Sequence, residues 1–462
     1  METLDLISPI DGRKLLSRPL ASAAEIDQAL SRAVAARAAW RALSLAERQA
    51  LCLKAVEHLV AAREAIAHDI TVQIGRPIAQ SPGEVRGLEE RARYMIEVAG
   101  PALADLDPGA KPGFKRYLRR EPLGTVLVLA PWNYPFLTAV NTIIPALVAG
   151  NTVILKHSSQ TPLAAERFQQ AFDAAGLPLG VFQHLHLSHA ATLKLVGHAA
   201  IDFVAFTGSV EGGRSVQQAA AQRFIGLGLE LGGKDPAYVR ADADFEHAVE
   251  SVVDGAFFNS GQSCCGIERA YVHQSLYRDF VEAAVELTKK YRLGNPLDPD
   301  TNLGPMVRAA AAAFVRGQIA EALAAGAKAL LDSRLFAADA PGTAYLAPQI
   351  LVDVDHSMRV MNEESFGPVL GIMPVADDEE ALRLMNDSRY GLTAAIFSRD
   401  VAAAERLGER LETGTVFLNR CDYLDPALAW TGVKDTGRGI SLSLLGYAQL
   451  TRVKSFHLRL PA

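Results

Sequence analysis

From Thr125 onward, short apolar runs alternate with helix-like stretches, and this constrains the chain more than any other feature. The runs are Thr125 to Ala130, Thr152 to Leu155, Phe203 to Phe206 and Ile225 to Leu229. Strands separated by helices must cross over rather than turn back, so the pattern predicts a parallel sheet of the α/β class. A second alternating stretch starts at Pro236-Ala237-Tyr238-Val239, just after Gly232-Gly233, and continues through a helix near Phe245 to Phe258. At 462 residues the chain exceeds what one core supports, and 49% hydrophobic residues suffice for two or three domains.

Residues 24 to 73 read as alanine-rich amphipathic helices, with Ser44 and Glu47 as a capping box. Lys115 to Arg120 and Val453 to Arg459 alternate like exposed strands, which are edge liabilities unless paired. Gly294 to Pro305 is the clearest loop. A net charge of −6 without dense basic runs disfavours nucleic acid and anionic membranes as partners. Met1 to Leu6 lacks the features of a signal peptide and no apolar run is long enough to span a bilayer, so a cytoplasmic protein is expected. Cys52, Cys264, Cys265 and Cys421 are too few and too irregular for a disulfide framework or zinc site, and Cys52 falls in an apolar helical pattern as plain core.

The chemistry concentrates in two segments. Phe257-Phe258-Asn259-Ser260-Gly261-Gln262-Ser263-Cys264-Cys265 places thiols in a polar, glycine-containing loop, open enough for a nucleophile. Leu229-Glu230-Leu231-Gly232-Gly233-Lys234 sets one carboxylate in an apolar run, where desolvation raises its pKa toward use as a general base. Together they point to covalent catalysis through a thioester, with either Cys264 or Cys265 as the nucleophile on chemistry alone. A thiol hydrolase would need a histidine base, and no motif ties His184, His186 or His189, which read as easily as surface residues, to the thiols. The same histidines lack partners for a zinc site, so no metal is expected.

These two segments resemble the signature of the aldehyde dehydrogenase superfamily. Matching pieces follow in the family's order: Pro131-Trp132-Asn133-Tyr134-Pro135, Leu155-Lys156, Phe206-Thr207-Gly208-Ser209, Glu364-Ser365-Phe366-Gly367-Pro368 and Gly432-Val433-Lys434. The resemblance spans essentially the whole chain. It implies a Rossmann-like cofactor domain (1–102 and 123–233), an α/β catalytic domain (234–435) and a β-strand oligomerisation arm (103–122 and 448–462) that builds a homodimer or homotetramer. It also implies oxidation of a small-molecule aldehyde to the free acid with NAD or NADP. The family's Gly-Gln-x-Cys spacing selects Cys264 as nucleophile, leaving Cys265 as pocket wall or a site of oxidation. Glu230 is then the base that activates water on the thioester, and Asn133 the oxyanion donor beside the Cys264 backbone N–H.

On the cofactor side, Gly208, Ser209 and Gly213 read G-S-x-x-x-G rather than the usual G-x-G-x-x-G, at a strand-to-helix turn suited to a pyrophosphate. Lys156 is placed on the adenosine ribose, and Trp132, Glu364 and Phe366 around the nicotinamide ribose and ring, with Glu363 the bland alternative to Glu364. Ser159 stands where many members carry a glutamate that repels a 2′-phosphate, so NADP is admitted, and His157, if protonated, adds attraction. The expected substrate pocket is Tyr134, Thr138, Asn141, Ser263, Leu424 and Trp430. Asn141 replaces an arginine that pairs the substrate carboxylate in several semialdehyde-oxidising members, a role left to Arg420 or another nearby charge. Trp430 to Gly439 departs from the family's usual Phe-Gly-Gly start, at the tunnel mouth. The alternatives are a coenzyme A-acylating relative, against which Glu230 argues, and a non-catalytic member, against which intact Cys264, Glu230 and Asn133 argue.

Overall fold

In the computed structural model, which describes residues 2–461, the alternation resolves into two mostly parallel sheets. Met1 and Ala462, which end the expected first and last segments, lie outside the described residues. The first sheet has six strands in the order Gly437–Arg438, Gly226–Glu230, Phe203–Thr207, Thr125–Leu129, Thr152–Lys156, Phe182–His184. All neighbours are parallel except Gly437–Arg438 against Gly226–Glu230. Every residue of Thr125–Leu129 is buried, which is why that strand reads as an unbroken apolar run rather than as alternation.

The chain lays its strands from Thr125–Leu129 out to Phe182–His184 on one side, then returns to place Phe203–Thr207 on the other. Strand order therefore reverses between Thr125–Leu129 and Phe203–Thr207, and the crevice beyond the carboxyl ends at such a reversal is where α/β sheets take ligands. Trp132 and Asn133 follow one of these strands, Gly208 and Ser209 the other. Glu230 ends its own strand, and Asp235 opens a strand of the second sheet only a few residues later.

The second sheet has seven strands, ordered Lys328–Ala329, Gln349–Val352, Val369–Val375, Ile267–His273, Asp235–Val239, Thr393–Phe397, Thr415–Leu418, with only the first antiparallel to its neighbour. Cys264 and Phe366 lie just before the amino ends of Ile267–His273 and Val369–Val375. The two sheets thus meet carboxyl edge to amino edge across the Glu230–Asp235 connection.

The alanine-rich region forms helices Ala23–Ala42, Leu45–Ala61 and Arg63–Ile74. Ser44 and Glu47 make the expected capping box, Ser44 N donating to the Glu47 carboxylate at 2.7 Å and Glu47 N to Ser44 Oγ at 3.3 Å. Cys52 sits in their common core, where burial pushes its thiol up to about 12. Helix Pro82–Glu97 packs closely on helix Leu137–Val148, since a Cβ at Gly87 would lie 2.6 Å from Leu137 Cδ2.

The two segments read as exposed strands pair with each other: Phe114–Pro122 runs antiparallel to Thr451–Arg459, with Phe114 opposite Arg459 and Pro122 opposite Thr451. Tyr117 stacks on Phe456 at 4.4 Å and Phe114 on His457 at 4.8 Å. An N-terminal hairpin, Thr3–Ile7 with Lys14–Pro19, is absent from the sequence reading, because the largely exposed, charged Lys14–Pro19 carries no apolar pattern. No helix of the described residues is long and apolar enough to cross a membrane.

Candidate active site

The thiol loop is built to be stiff. After helix Phe245–Phe257 the chain passes through three successive left-handed residues, Asn259 (φ 52°), Ser260 (φ 57°) and Gly261 (φ 70°), a conformation that persists only when its surroundings over-determine it. They do so here. Asn259 Oδ1 accepts from Arg76 Nε at 3.1 Å, Ser260 Oγ donates to Gly304 O at 2.8 Å, and Gln262 bridges Asn259 O at 3.1 Å and Val307 N at 2.7 Å. A Cβ at Gly261 would collide with the Gly367 carbonyl. This turn delivers Cys264, half-buried, to a cavity of about 220 Å³ that Glu230 also lines.

Cys265 lines the same cavity but is buried, and its Sγ donates to Asp422 Oδ1 at 2.8 Å. Its hydrogen bond with Cys264, its burial and the Asp422 carboxylate all push this thiol well above the ordinary range. Chemistry that treated the two thiols as equal in the sequence separates them in the fold, since the deprotonated form is the nucleophile.

Glu230 Oε1 accepts from Ser441 Oγ at 2.6 Å and Oε2 from Thr207 Oγ1 at 3.3 Å. Burial raises its pKa, against the opposing pull of those two hydroxyls and of Arg91. Gly232 and Gly233 explain the diglycine: a Cβ at Gly233 would lie 2.6 Å from the Cys264 carbonyl oxygen, and one at Gly232 would strike the Glu364 carboxylate. The base-bearing strand can therefore pass directly beside the thiol turn only without side chains there.

Asn133 is buried, and its Nδ2 donates to Gln262 O at 3.2 Å, which leaves the second amide hydrogen free. Its own carbonyl accepts from Arg76, whose guanidinium pairs with buried Glu84, and Glu84 Oε1 accepts from Phe136 N at 2.8 Å and Leu137 N at 3.1 Å. Arg76 and Glu84 were not singled out in the sequence: Arg76 stands in a Gly-Arg-Pro turn and Glu84 in a helix that carries several other charges, so neither stands out locally. Among the described residues the Cys264 N–H meets no acceptor, so it and Asn133 Nδ2, which bonds to the same turn at Gln262, are two donors with capacity to spare. Asn133→Ala is expected to lower kcat by about 100- to 1,000-fold with little change in KM, read by steady-state turnover.

On the cofactor side, Ser209 Oγ caps helix Val210–Ala220 by accepting from Gly212 N at 3.2 Å, and Gly213 packs on Leu231, where a Cβ would lie 2.6 Å from Leu231 Cδ2. Lys156 ends its strand largely buried with no ion pair among the described residues, and burial lowers its pKa. Ser159 is exposed beyond it. Trp132 meets Phe366 edge-on at 5.5 Å. Glu364 Oε1 accepts from Gly233 N at 2.9 Å and burial, reinforced by Glu268, pushes its carboxyl up to about 8, whereas Glu363 pairs outward with Arg359 at 3.0 Å. Glu268 in turn accepts from Ser365 N at 2.8 Å and Phe366 N at 2.9 Å and pairs with Lys234, fixing this loop. An orphaned buried ammonium, a capped helix start at the switch point and two facing aromatics fit a dinucleotide.

Four expectations are corrected. His157 cannot attract a phosphate: Nε2 donates to Pro135 O at 2.8 Å, Nδ1 accepts from Thr161 Oγ1 at 2.8 Å, and burial pushes it down to about 3, so it is neutral and structural. Ser263 does not line the cavity; it is buried and donates to Asp422 Oδ1 at 3.1 Å. Arg420 is not in the cavity either, because its guanidinium stacks 3.9 Å over the Tyr423 ring. His184 and His186 are half-buried against each other, 5.2 Å apart, rather than at the surface, and no metal-binding group of side chains occurs among the described residues. Tyr134, Thr138, Asn141, Leu424 and Trp430 do line the cavity, joined by Arg91 and Asp422, which the sequence did not reveal.

This arrangement agrees with the comparisons. The aldehyde dehydrogenase family model matches residues 1–456, and the chain belongs to that family. The chain is 34% identical over 448 residues, covering 97% of it and 93% of the relative, to a succinate-semialdehyde dehydrogenase [NADP(+)] of Deinococcus radiodurans. It is 33% identical over 449 residues, covering 97% and 96%, to a succinate semialdehyde dehydrogenase [NAD(P)+] of Escherichia coli. The NADP-dependent glyceraldehyde-3-phosphate dehydrogenase of Bacillus halodurans, solved with NADP, superposes with a TM-score of 0.93 at 34% identity over 100% of this chain and 96% of that one. The protein is an NAD(P)-dependent oxidoreductase acting on aldehyde groups.

Proposed function

We propose that the chain oxidises a short, carboxylated aldehyde of the succinate semialdehyde type to the free acid, with Cys264 as nucleophile, Glu230 as base and Asn133 as oxyanion donor. The observation that carries the mechanism is one small cavity lined by both Cys264 and Glu230, with the Glu230 pKa raised by burial. An aldehyde has no leaving group, so the Cys264 thiolate first adds to the carbonyl, and the charge that develops on oxygen is met by Asn133 Nδ2 and the Cys264 N–H. Bound NAD or NADP supplies the hydride acceptor. Glu230 then takes a proton from water as it attacks the Cys264 thioester, and the acid leaves. Lys156, Ser159, Ser209 and Glu364 are the proposed cofactor contacts. The semialdehyde assignment is supported by the named activities of the two curated relatives.

We also propose the division into cofactor domain, catalytic domain and arm, with the ribbon Phe114–Pro122/Thr451–Arg459 joining copies into a homodimer or homotetramer. A two-stranded ribbon is marginal alone, and this one exposes Val453 and Leu458. Four free thiols support a reducing, cytoplasmic location.

The test is reduced-nicotinamide absorbance with succinate semialdehyde, butanal and benzaldehyde, each with NAD and with NADP. Turnover of succinate semialdehyde without coenzyme A supports the proposal; a strict coenzyme A requirement refutes it. NADP is expected to be accepted, and Ser159→Glu to raise its KM at least about tenfold by placing a carboxylate against the 2′-phosphate, with NAD little affected.

A further inference from the structure

Among the described residues, the substrate cavity contains one cation, Arg91, that forms no direct ion pair, although Glu84, Glu230 and Asp422 lie near enough to act on it through space. Arg91 projects from helix Pro82–Glu97 and lines the cavity with Cys264 and Glu230 while remaining only 8% exposed. Its Nη1 donates to Leu137 O at 3.0 Å and, more distantly, to Asn141 Oδ1 at 3.5 Å. Among the described residues, Nε and Nη2 meet no acceptor, yet neither is sealed from solvent.

The neighbouring carboxylates are all engaged elsewhere. Glu84 holds Arg76 and the first amides of helix Leu137–Val148. Glu230 accepts from Ser441 and Thr207. Asp422 accepts from Cys265, Ser263 and, at 3.4 Å, Tyr134. A buried guanidinium with an open edge is costly unless an anion completes it, and its planar fork matches a carboxylate.

We infer that Arg91 is the specificity-determining residue of this enzyme, its free edge gripping a carboxylate at the far end of the substrate from the aldehyde, so that the substrate class is short ω-oxo carboxylic acids. The inference deepens the semialdehyde reading above and rests on it. Arg91 would take the role that the sequence, with Asn141 in place of the family's arginine, left to Arg420 or another nearby charge, and the Leu137 carbonyl sets the angle of the guanidinium. The carboxylate is favoured over a phosphate because this is a single free guanidinium in a cavity that also holds Asp422 and Glu230, which would repel a dianion.

The experiment measures kcat/KM for succinate semialdehyde, butanal and glyceraldehyde 3-phosphate on the wild type, Arg91→Gln, Arg91→Lys and the double variant Arg91→Gln/Asn141→Arg. The expected result is that Arg91→Gln lowers the preference for succinate semialdehyde over butanal by roughly 100-fold, mainly through KM. Arg91→Lys keeps part of that preference, and the relocated arginine restores part of it. A wild type that prefers the carboxylated aldehyde, with that preference intact in Arg91→Gln, overturns the role of Arg91 and leaves the semialdehyde reading standing. A wild type without such a preference overturns both, and a preference for the phosphorylated aldehyde overturns the carboxylate. If Arg91→Gln does not fold, competitive inhibition of wild type and Arg91→Lys by succinate against butanamide, which carries no carboxylate, decides: equal inhibition by the two overturns the inference.

Discussion

Cys264→Ala protein will bind NADP and give no reduced-nicotinamide signal with any aldehyde, turnover falling on the order of a million-fold, as when a covalent nucleophile is removed from an enzyme whose other groups act only through it. Cys265 will not rescue it. That thiol is one residue away but buried, bonded to Asp422 at 2.8 Å and held well above the ordinary thiol range, so it stays protonated at neutral pH. The converse variant separates the two: Cys265→Ser keeps a substrate-dependent burst and stoichiometric alkylation by iodoacetamide, whereas Cys264→Ala loses both. Mass spectrometry of the labelled peptide is the check, and a label on Cys265 in the wild type would refute the assignment of the nucleophile.

The contrast between these cysteines shows what the sequence could and could not carry. The parallel sheets were legible because buried strands such as Thr125–Leu129 and Asp235–Val239 are apolar past their first residue and separated by helices. Residues that follow directly from strand ends, Asn133, Lys156 and Glu230, were legible for the same reason: the order of elements fixes their edge. What was not legible depends on long-range packing. Ser441 reaches Glu230 across 211 positions, Asp422 meets Cys265 across 157, and Arg91 meets Asn141 across 50, by contacts that no local periodicity encodes. His157 failed in an instructive way, since a histidine next to a lysine proposed to hold the cofactor suggests charge, and only the enclosing Pro135 and Thr161 contacts show it to be neutral. Glu364 was separated from Glu363 by the single contact with Gly233 N, again a tertiary fact.

Glu230→Gln, by contrast with Cys264→Ala, will leave the first half of the reaction intact and stop the second. Thiolate addition and hydride loss need Cys264 and the oxyanion donors, so one equivalent of reduced nicotinamide should appear in a rapid burst. Thioester hydrolysis needs a proton removed from water, and without the carboxylate the steady-state rate should fall by about 100- to 10,000-fold, with acyl-enzyme accumulating to detection by intact mass. The pH dependence follows from the raised pKa: the base works only when ionised, so wild-type turnover climbs with pH through a value above the ordinary carboxylate range, and the glutamine variant loses that limb. The sign for stability is opposite to that for activity. A carboxyl whose folded pKa is raised binds its proton more tightly than the unfolded chain does, so it costs stability above its unfolded pKa, and Glu230→Gln should melt no lower than wild type at neutral pH. A variant that lost the burst along with turnover would move Glu230 from hydrolysis to thiol activation, and the same stopped-flow trace distinguishes the two.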